Sequence, residues 1–429
     1  MFRTALLRIC SRRSRYERND KTRPGKAASG GGHMRRRVFL ALSGTSGLAA
    51  CTSGPGPQAF RGAGGPGGEV AILLPLSGSH ADLAQPLQQA AELAFGAPTL
   101  VAHDTAGTPQ GAATAAHNAV AGGAKLILGP LTAPEVVGAK AVTRSAQVPM
   151  LAFSNDPTIA ERGCWPLGIT PDEQVRRLVD ASQQAGRMRF AALLPSSAFG
   201  RALGEALNRA TSDAGLAAPT IRFHGGGTAA IAAGIRSVSA YDARWGPIKK
   251  EIELASTEGT PEARRKANRL RQASPGPPPF DVLLLGDTGE SLGEMPMLLT
   301  YYFVGPPGVH FVGPALWADP RSGSHAFPGA WYAAPDPAAR ASFVAAFSSR
   351  YGAAPPSLAD IAYDAASIAR VVGPEGYSLE SITRPAGFVG VSGPLRLLPD
   401  GRVRRGLALF QIERGGAQLI QPAPGSVSA

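Results

Sequence analysis

The sequence predicts an α/β protein made of two doubly wound parallel-sheet lobes. Three observations predict it. First, residues 69–78 (EVAILLPLSG) join an unbroken apolar run, Val70 to Leu74, to a Pro-Leu-Ser-Gly turn. A helical apolar spacing follows at Leu83, Leu87, Ala90, Ala91 and Ala94. An apolar run of this kind reads as a strand buried on both faces, as strands of parallel sheets are. Second, the same strand–turn–helix unit recurs along the chain. Third, it recurs in two sets, separated near Thr170, and residues 69–429 are long enough for two lobes of ordinary domain size.

The first strand should stop at Pro75, which has no amide hydrogen for the ladder. The second unit is the strand 99–104 (TLVAHD) and the Ala-rich helix 112–121. The third is 125–130 (KLILGP), a Leu-Thr-Ala-Pro turn and a helix over 136–144. The fourth is 148–153 (VPMLAF), followed by Ser154, Asn155, Asp156 and Pro157. Right-handed crossovers between such strands make them parallel. Residues 164–174 (CWPLGITPDEQ) read as a strand leaving the lobe. Thr170 as cap, Pro171 at the first position and Glu173 as capping-box partner open the next helix.

The second set begins with the strand 190–194, the turn 195–200 (PSSAFG), the helix 201–214 and the strand 219–224. Residues 241–274 differ. They are highly charged and sparse in apolar residues, and they read as one or two solvent-facing helices projecting from the lobe. Ile248, Ile252 and Leu254 lie near one stripe of that segment, and its mixed charges suit a docking surface. Residues 280–287 (FDVLLLGD) are again a buried strand with a polar end. Met295 and Met297 in the helix after it read as core filler. A strand at 309–312 and helices at 337–351 and 358–372 precede a β-like tail. That tail comprises 387–393, 395–398 and, beyond a Pro-Asp-Gly turn, 407–412.

The first 68 residues do not read as folded domain. Arg35, Arg36 and Arg37 precede a short apolar stretch, 38–50, ending Leu-Ala-Ala before Cys51. This is the layout of a secretory signal, too short to span a bilayer. Met34 reads as the start, and residues 1–33 as an upstream leader. Leu48-Ala49-Ala50-Cys51 resembles the lipobox of bacterial lipoproteins, which implies lipidation of Cys51. Thr52 in place of Asp favours the outer membrane. Residues 51–68, rich in Gly and Pro, read as a tether. The chain carries 43 Lys and Arg against 31 Asp and Glu, net +12. Residues 1–50 hold 12 of the bases and 2 of the acids, so the remainder is nearly neutral and nucleic acid is a poor partner.

The chemistry-bearing motifs of enzymes are missing. There is no G-x-S-x-G, no Walker loop and no Cys/His cluster with zinc spacing, so no catalytic role, metal or cofactor is expected. His80, His103, His117 and His224 read as surface or capping histidines, and Cys164 as a small buried residue. What recurs instead is a hydroxyl or amide in the turn after each early strand: Ser77, Thr132, Ser154 and Asn155. Helix capping accounts for each one singly. Their recurrence at successive strand ends marks a candidate ligand cleft.

VAILLPLSG, KLILGPLTAPEV, SSAFG, FDVLLLGD and the closing F-x-G-x-S-G-P-L…D-G-R…FQI resemble the type I periplasmic-binding fold of leucine/isoleucine/valine-binding proteins, over roughly residues 69–422. The resemblance implies a three-segment hinge near Thr170, Gly329 and Ala386. Lobe 1 is then 69–170 plus 330–386, and lobe 2 is 171–329 plus 387–422. It also implies that Thr132, Ser154 and Asn155 face an amino-acid carboxylate. Phe199 stands where a Tyr would stack, and Asp287 where an acid would meet the ammonium.

The charged insertion, LLTYY (298–302), ALWADP (315–320) and GAWYAAPDPAARASFVAAFSSRYGAAPPSLADIAYDA (329–365) resemble a narrower family, the alphaproteobacterial penicillin-binding protein activators. That resemblance implies a non-catalytic periplasmic lipoprotein acting on a peptidoglycan synthase. The alternative on the same scaffold is an amino-acid (leucine-type) solute-binding protein serving an ABC permease.

Overall fold

β1 (Glu69–Leu74) ends where Pro75 removes the next amide hydrogen, and Val70 to Leu74 are each at most 1 % exposed. A strand buried so evenly lies inside a sheet covered on both faces. The computed structural model describes residues 69–96 and 100–427. The expected leader (1–33), signal (34–50), lipidation site Cys51 and tether (51–68) lie outside the described residues.

From β1 the chain runs through α1 (Ala81–Phe95), β2 (Leu100–Asp104), α2 (Pro109–Ala121), β3 (Ala124–Leu128), α3 (Ala133–Ala146), β4 (Met150–Ala152) and β5 (Cys164–Pro166). These five strands form one parallel sheet in the order β2-β1-β3-β4-β5. Small residues set the packing on one face. Ala112, Ala115, Ala116 and Ala119 of α2 are buried beside Val136 and Ala139 of α3. Gly138 of α3 comes so close to Pro109 that a Cβ there would lie 2.1 Å from the Pro109 carbonyl oxygen.

The second lobe opens with α4 (Pro171–Gln184), β6 (Phe190–Pro195), α5 (Ala198–Asp213), β7 (Thr220–His224) and α6 (Thr228–Val238). The charged helix pair α7 (Tyr241–Thr257) and α8 (Pro261–Arg271) follows. Its own contact is a small cluster of Ala255, Ala263 and Ala267, while Leu254 stays 61 % exposed. Then come β8 (Val282–Leu285), α9 (Gly289–Tyr301), β9 (His310–Gly313) and β10 (Trp331–Ala334). The chain continues through α10 (Pro337–Tyr351), α11 (Ala359–Val372) and the short α12 (Leu379–Ile382). It closes with β11 (Phe388–Gly390), β12 (Gly393–Leu397), β13 (Val403–Arg405), β14 (Ala408–Glu413) and β15 (Gly416–Gln421). The second sheet has the order β15-β14-β10-β9-β8-β6-β7, parallel from β10 to β7, with β14 and β15 antiparallel at one edge.

Two expected lobe boundaries move. The resemblance assigned 330–386 to lobe 1, but β10 pairs with β9 and β14 in the second sheet, so the second crossing follows Ala334 rather than Gly329. It assigned 387–422 to lobe 2, but Phe388, Val391, Leu395, Leu397 and Val403 are buried in the first lobe's core with α1 and α11. The third crossing therefore falls at Gly406–Leu407, where Leu407 enters the second lobe's core. Gly329 and Gly387 are turns with φ of +84° and +62°. Turns mark the ends of elements and do not say which sheet the next strand joins.

A buried ionic cluster ties the crossings together. Arg405, 2 % exposed, donates through Nη1 to Asp364 Oδ2 (3.1 Å) and through Nη2 to the Leu167 carbonyl (2.8 Å). Its backbone N–H donates to Glu173 Oε2 (2.6 Å), and Arg176 pairs with the same oxygen at 3.0 Å. Asp364 Oδ1 accepts from the Val391 N–H (2.7 Å). α11, β13, α4 and the first crossing thus meet at one point. Thr170 is the N-cap of α4 with Pro171 after it, but no side-chain cap bond forms; Glu173, the expected capping-box partner, turns to Arg405 instead.

Candidate functional site

In doubly wound sheets the turns beyond the carboxyl ends of the strands gather on one edge, where ligands bind. β1, β3 and β4 are neighbours in the first sheet, so Ser77, Thr132, Ser154 and Asn155 lie along one edge. The geometry gives most of them partners already. Ser77 Oγ donates to Asp104 Oδ2 (2.6 Å) and its N–H to Oδ1 (3.2 Å). Partial burial pushes the Asp104 carboxyl up, but the bonds from Ser77 and Ala106 hold it below its ordinary value.

Thr132 is the N-cap of α3 in a complete capping box. Its Oγ1 and N–H donate to Glu135 Oε2 at 2.6 and 2.9 Å, and the Glu135 N–H donates back to Oγ1 at 3.5 Å. Glu135 is fully buried, and its other oxygen accepts from Thr105 Oγ1. Ser154 is buried and accepts the Asp156 N–H (3.1 Å). Asn155 is exposed, and its side-chain amide makes no hydrogen bond among the described residues.

In the second sheet β7 and β8 flank β6. Asp287 follows β8 and is 6 % exposed; its Oδ2 lies 3.0 Å from Nε2 of His224, which ends β7 and is 4 % exposed. The Gly226 N–H points at His224 Nδ1 (3.3 Å), so the pattern puts the ring proton on Nε2, donating to Asp287. The pair bridges over the end of β6. Trp317 Nε1 donates to the Asp287 carbonyl (3.0 Å), and its ring sits against Gly313, where a Cβ would lie 2.2 Å away. Phe199, near the start of α5, is half-buried against the core formed with Leu203 and Leu207.

Sequence reasoning placed these residues at the strand ends and missed their partners. His224, expected at the surface or as a cap, is buried on Asp287, because β7 returns beside β6 and brings position 224 over to 287. Glu135, Asp104, Thr105 and Trp317 were also missed. For Glu135 a signal was present: Thr-x-x-Glu at 132–135 is the capping-box pattern.

Chemically, the lobe-1 edge offers hydroxyls bonded to two carboxyl groups, which is a poor setting for a ligand carboxylate. The lobe-2 acid is bonded to a histidine. The groove beside Phe303 and Phe327, the crevice at Thr170 and Arg404, and the hollow at Lys125 and Tyr377 are lined by none of the six candidate cleft residues. Among the described residues no three His, Cys, Asp or Glu side chains come together to hold a metal. Cys164 is buried, and burial pushes its thiol up to about 12, far from the thiolate a nucleophile needs.

A family model described as periplasmic binding protein matches residues 69–248. No curated protein matches the chain by sequence. Many solved structures resemble it, among them three that match over 82 % of its length and 99 % of theirs. One is from Rhodospirillum rubrum and is assigned as a branched-chain amino acid ABC transporter (17 % identity, TM-score 0.60). The second is the C-domain of LpoA from Haemophilus influenzae, described as a regulator of PBP1A (16 %, 0.57). The third is an ABC transporter substrate-binding protein from Desulfitobacterium hafniense in complex with Leu (16 %, 0.52). At such identities the likeness is one of fold: the chain has the type I, leucine-binding-like periplasmic-binding fold.

Proposed function

We propose that the chain is a non-catalytic periplasmic regulator that activates a peptidoglycan synthase of the penicillin-binding type, held at the outer membrane through a lipid on Cys51. The observation that supports this most is the Asp287–His224 pair. A receptor of this fold must meet an amino acid's ammonium with an acid and its carboxylate with donors. Here the acid is bonded within lobe 2, Phe199 packs inward, and the Ser77 and Thr132 hydroxyls serve Asp104 and Glu135. Burying a zwitterion without partners costs several kcal/mol. The shared fold with a PBP1A regulator agrees with this reading.

A second reading is an amino-acid-binding component of an ABC importer. The free, exposed amide of Asn155 at the strand ends and the fold shared with a leucine complex favour it. One experiment separates the two. The chain is melted with each common amino acid in turn and separately incubated with membranes labelled by fluorescent penicillin. A ligand at ~100 times its Kd adds about 2.7 kcal/mol, a readable shift. Silence in the melts with capture of a labelled synthase supports regulation. A melting shift without capture moves the function to the importer.

A further inference from the structure

The outer side of lobe 2 carries an open apolar groove of about 480 Å³, within the ~300–1,000 Å³ typical of binding pockets. Leu299, Phe303, Val304, Pro306, Phe311 and Phe327 line it. It is continuous with the charged helix pair. Phe303 lies 6.0 Å ring to ring from Trp245 of α7, and Tyr241 lies 4.9 Å from Tyr302. Arg244 clamps the junction, donating to the carbonyls of Tyr302 (2.7 Å), Gly276 (2.9 Å) and Phe303 (3.4 Å). The base of the pair is therefore fixed to the lip of the groove. Phe303 of the groove is 42 % exposed, and on the outer face of α9, the helix that supplies Leu299 to the groove, Met297 is 80 % exposed and Tyr301 67 %. Large apolar side chains clustered in water mark a contact surface.

The helix pair sets the charge of the occupant. α8 carries five basic side chains against one carboxylate. Lys266 pairs with Glu251 (3.4 Å), and Arg271 bonds to Asn268 and Ser256. Arg264, Arg265 and Arg269 are exposed and join no ion pair among the described residues. With Ala263 and Ala267 buried against Ala255 of α7, these arginines form an exposed basic patch on the helix pair whose α7 base meets the groove. Aromatic residues, Met and Arg are the types enriched at protein interfaces. An anionic bilayer fits less well, because the groove is concave and Glu251, Glu253 and Glu258 of the same pair are exposed.

We propose that this face docks an acidic segment of the partner protein, with an apolar side chain seated in the groove and its carboxylates on Arg264, Arg265 and Arg269. In taking the partner to be a penicillin-binding protein, the proposal rests on the regulatory reading. The test uses the full chain with a photo-crosslinking residue at Tyr301 or, as control, at Val389, which is 87 % exposed on lobe 1. Captured synthases are identified by fluorescent penicillin. The binding affinity of the captured synthase's periplasmic part is then measured for R264E/R265E/R269E, for M297E and for the lobe-1 control K125E.

The expected result is crosslinking from 301 and not from 389. The triple variant and M297E should each bind about tenfold or more weakly, with K125E unchanged and all circular dichroism spectra unchanged. Crosslinking from 389 with undiminished binding by the triple variant overturns the surface and leaves the regulatory reading standing. Capture of no penicillin-binding protein from either position overturns both. Binding of the wild type, but not the triple variant, to phosphatidylglycerol vesicles while synthase binding is unchanged overturns it in favour of a membrane surface.

Discussion

Replacing Arg405 by Met tests the ionic cluster at the lobe crossings. Met keeps most of the side chain's length and removes both guanidinium bonds, at 3.1 Å to Asp364 and 2.8 Å to the Leu167 carbonyl. Asp364 is 1 % exposed and retains the Val391 N–H. Breaking a buried ion pair by removing one partner costs about 3–5 kcal/mol, because the remaining charge is uncompensated. The loss depends on pH. Burial pushes the Asp364 carboxyl up, and Arg405 is the strongest influence pulling it down. Without Arg405 the folded-state value rises further above the unfolded value of about 3.9. Below that unfolded value both states of the variant hold the proton and the charge penalty is absent. As pH rises through the folded value the penalty appears in full. Urea unfolding at pH 4.5 and 7.5 should therefore show the larger deficit at pH 7.5, and adding Asp364→Asn should restore part of it. A deficit under about 1 kcal/mol at pH 7.5, or one equal at both pH values, would refute the reasoning.

Three further outcomes are expected. His310 is held down to about 4 by burial, with Arg187 adding to it, so the folded protein loses stability as pH falls from about 6.5 towards 4. His310→Phe should remove that acid sensitivity, a relative gain at pH 4.5 of about 2–3 kcal/mol at most after allowing for partial exposure, read by denaturant titration. Asp287→Ala leaves the buried His224 Nε2–H without its acceptor. It should cost about 1–3 kcal/mol in thermal melts and alter no amino-acid response. Thr132→Ala dismantles the capping box of α3 and should cost about 0.5–2 kcal/mol, whereas Thr132→Ser should cost less; equal losses would sink the capping role.

The features legible in the sequence are those that short-range chemistry decides. The apolar run of β1, its stop at Pro75, the hydroxyls after the strands and the charged, exposed pair α7–α8 all follow from neighbours a few residues apart. The sequence by itself therefore determined the fold class and the placing of hydroxyls at the strand ends. Tertiary structure decided which polar groups are free. Glu173 reads as a local cap partner, yet it bonds to Arg405, 232 positions away; Asp287 reads as a free acid, yet it bonds to His224, 63 positions away across β6. It also decided that β10 belongs to the second sheet and β11–β13 to the first lobe's core. Strand pairing and the burial of charge are settled between segments distant in the chain, where helical or strand periodicity carries no information about the partner.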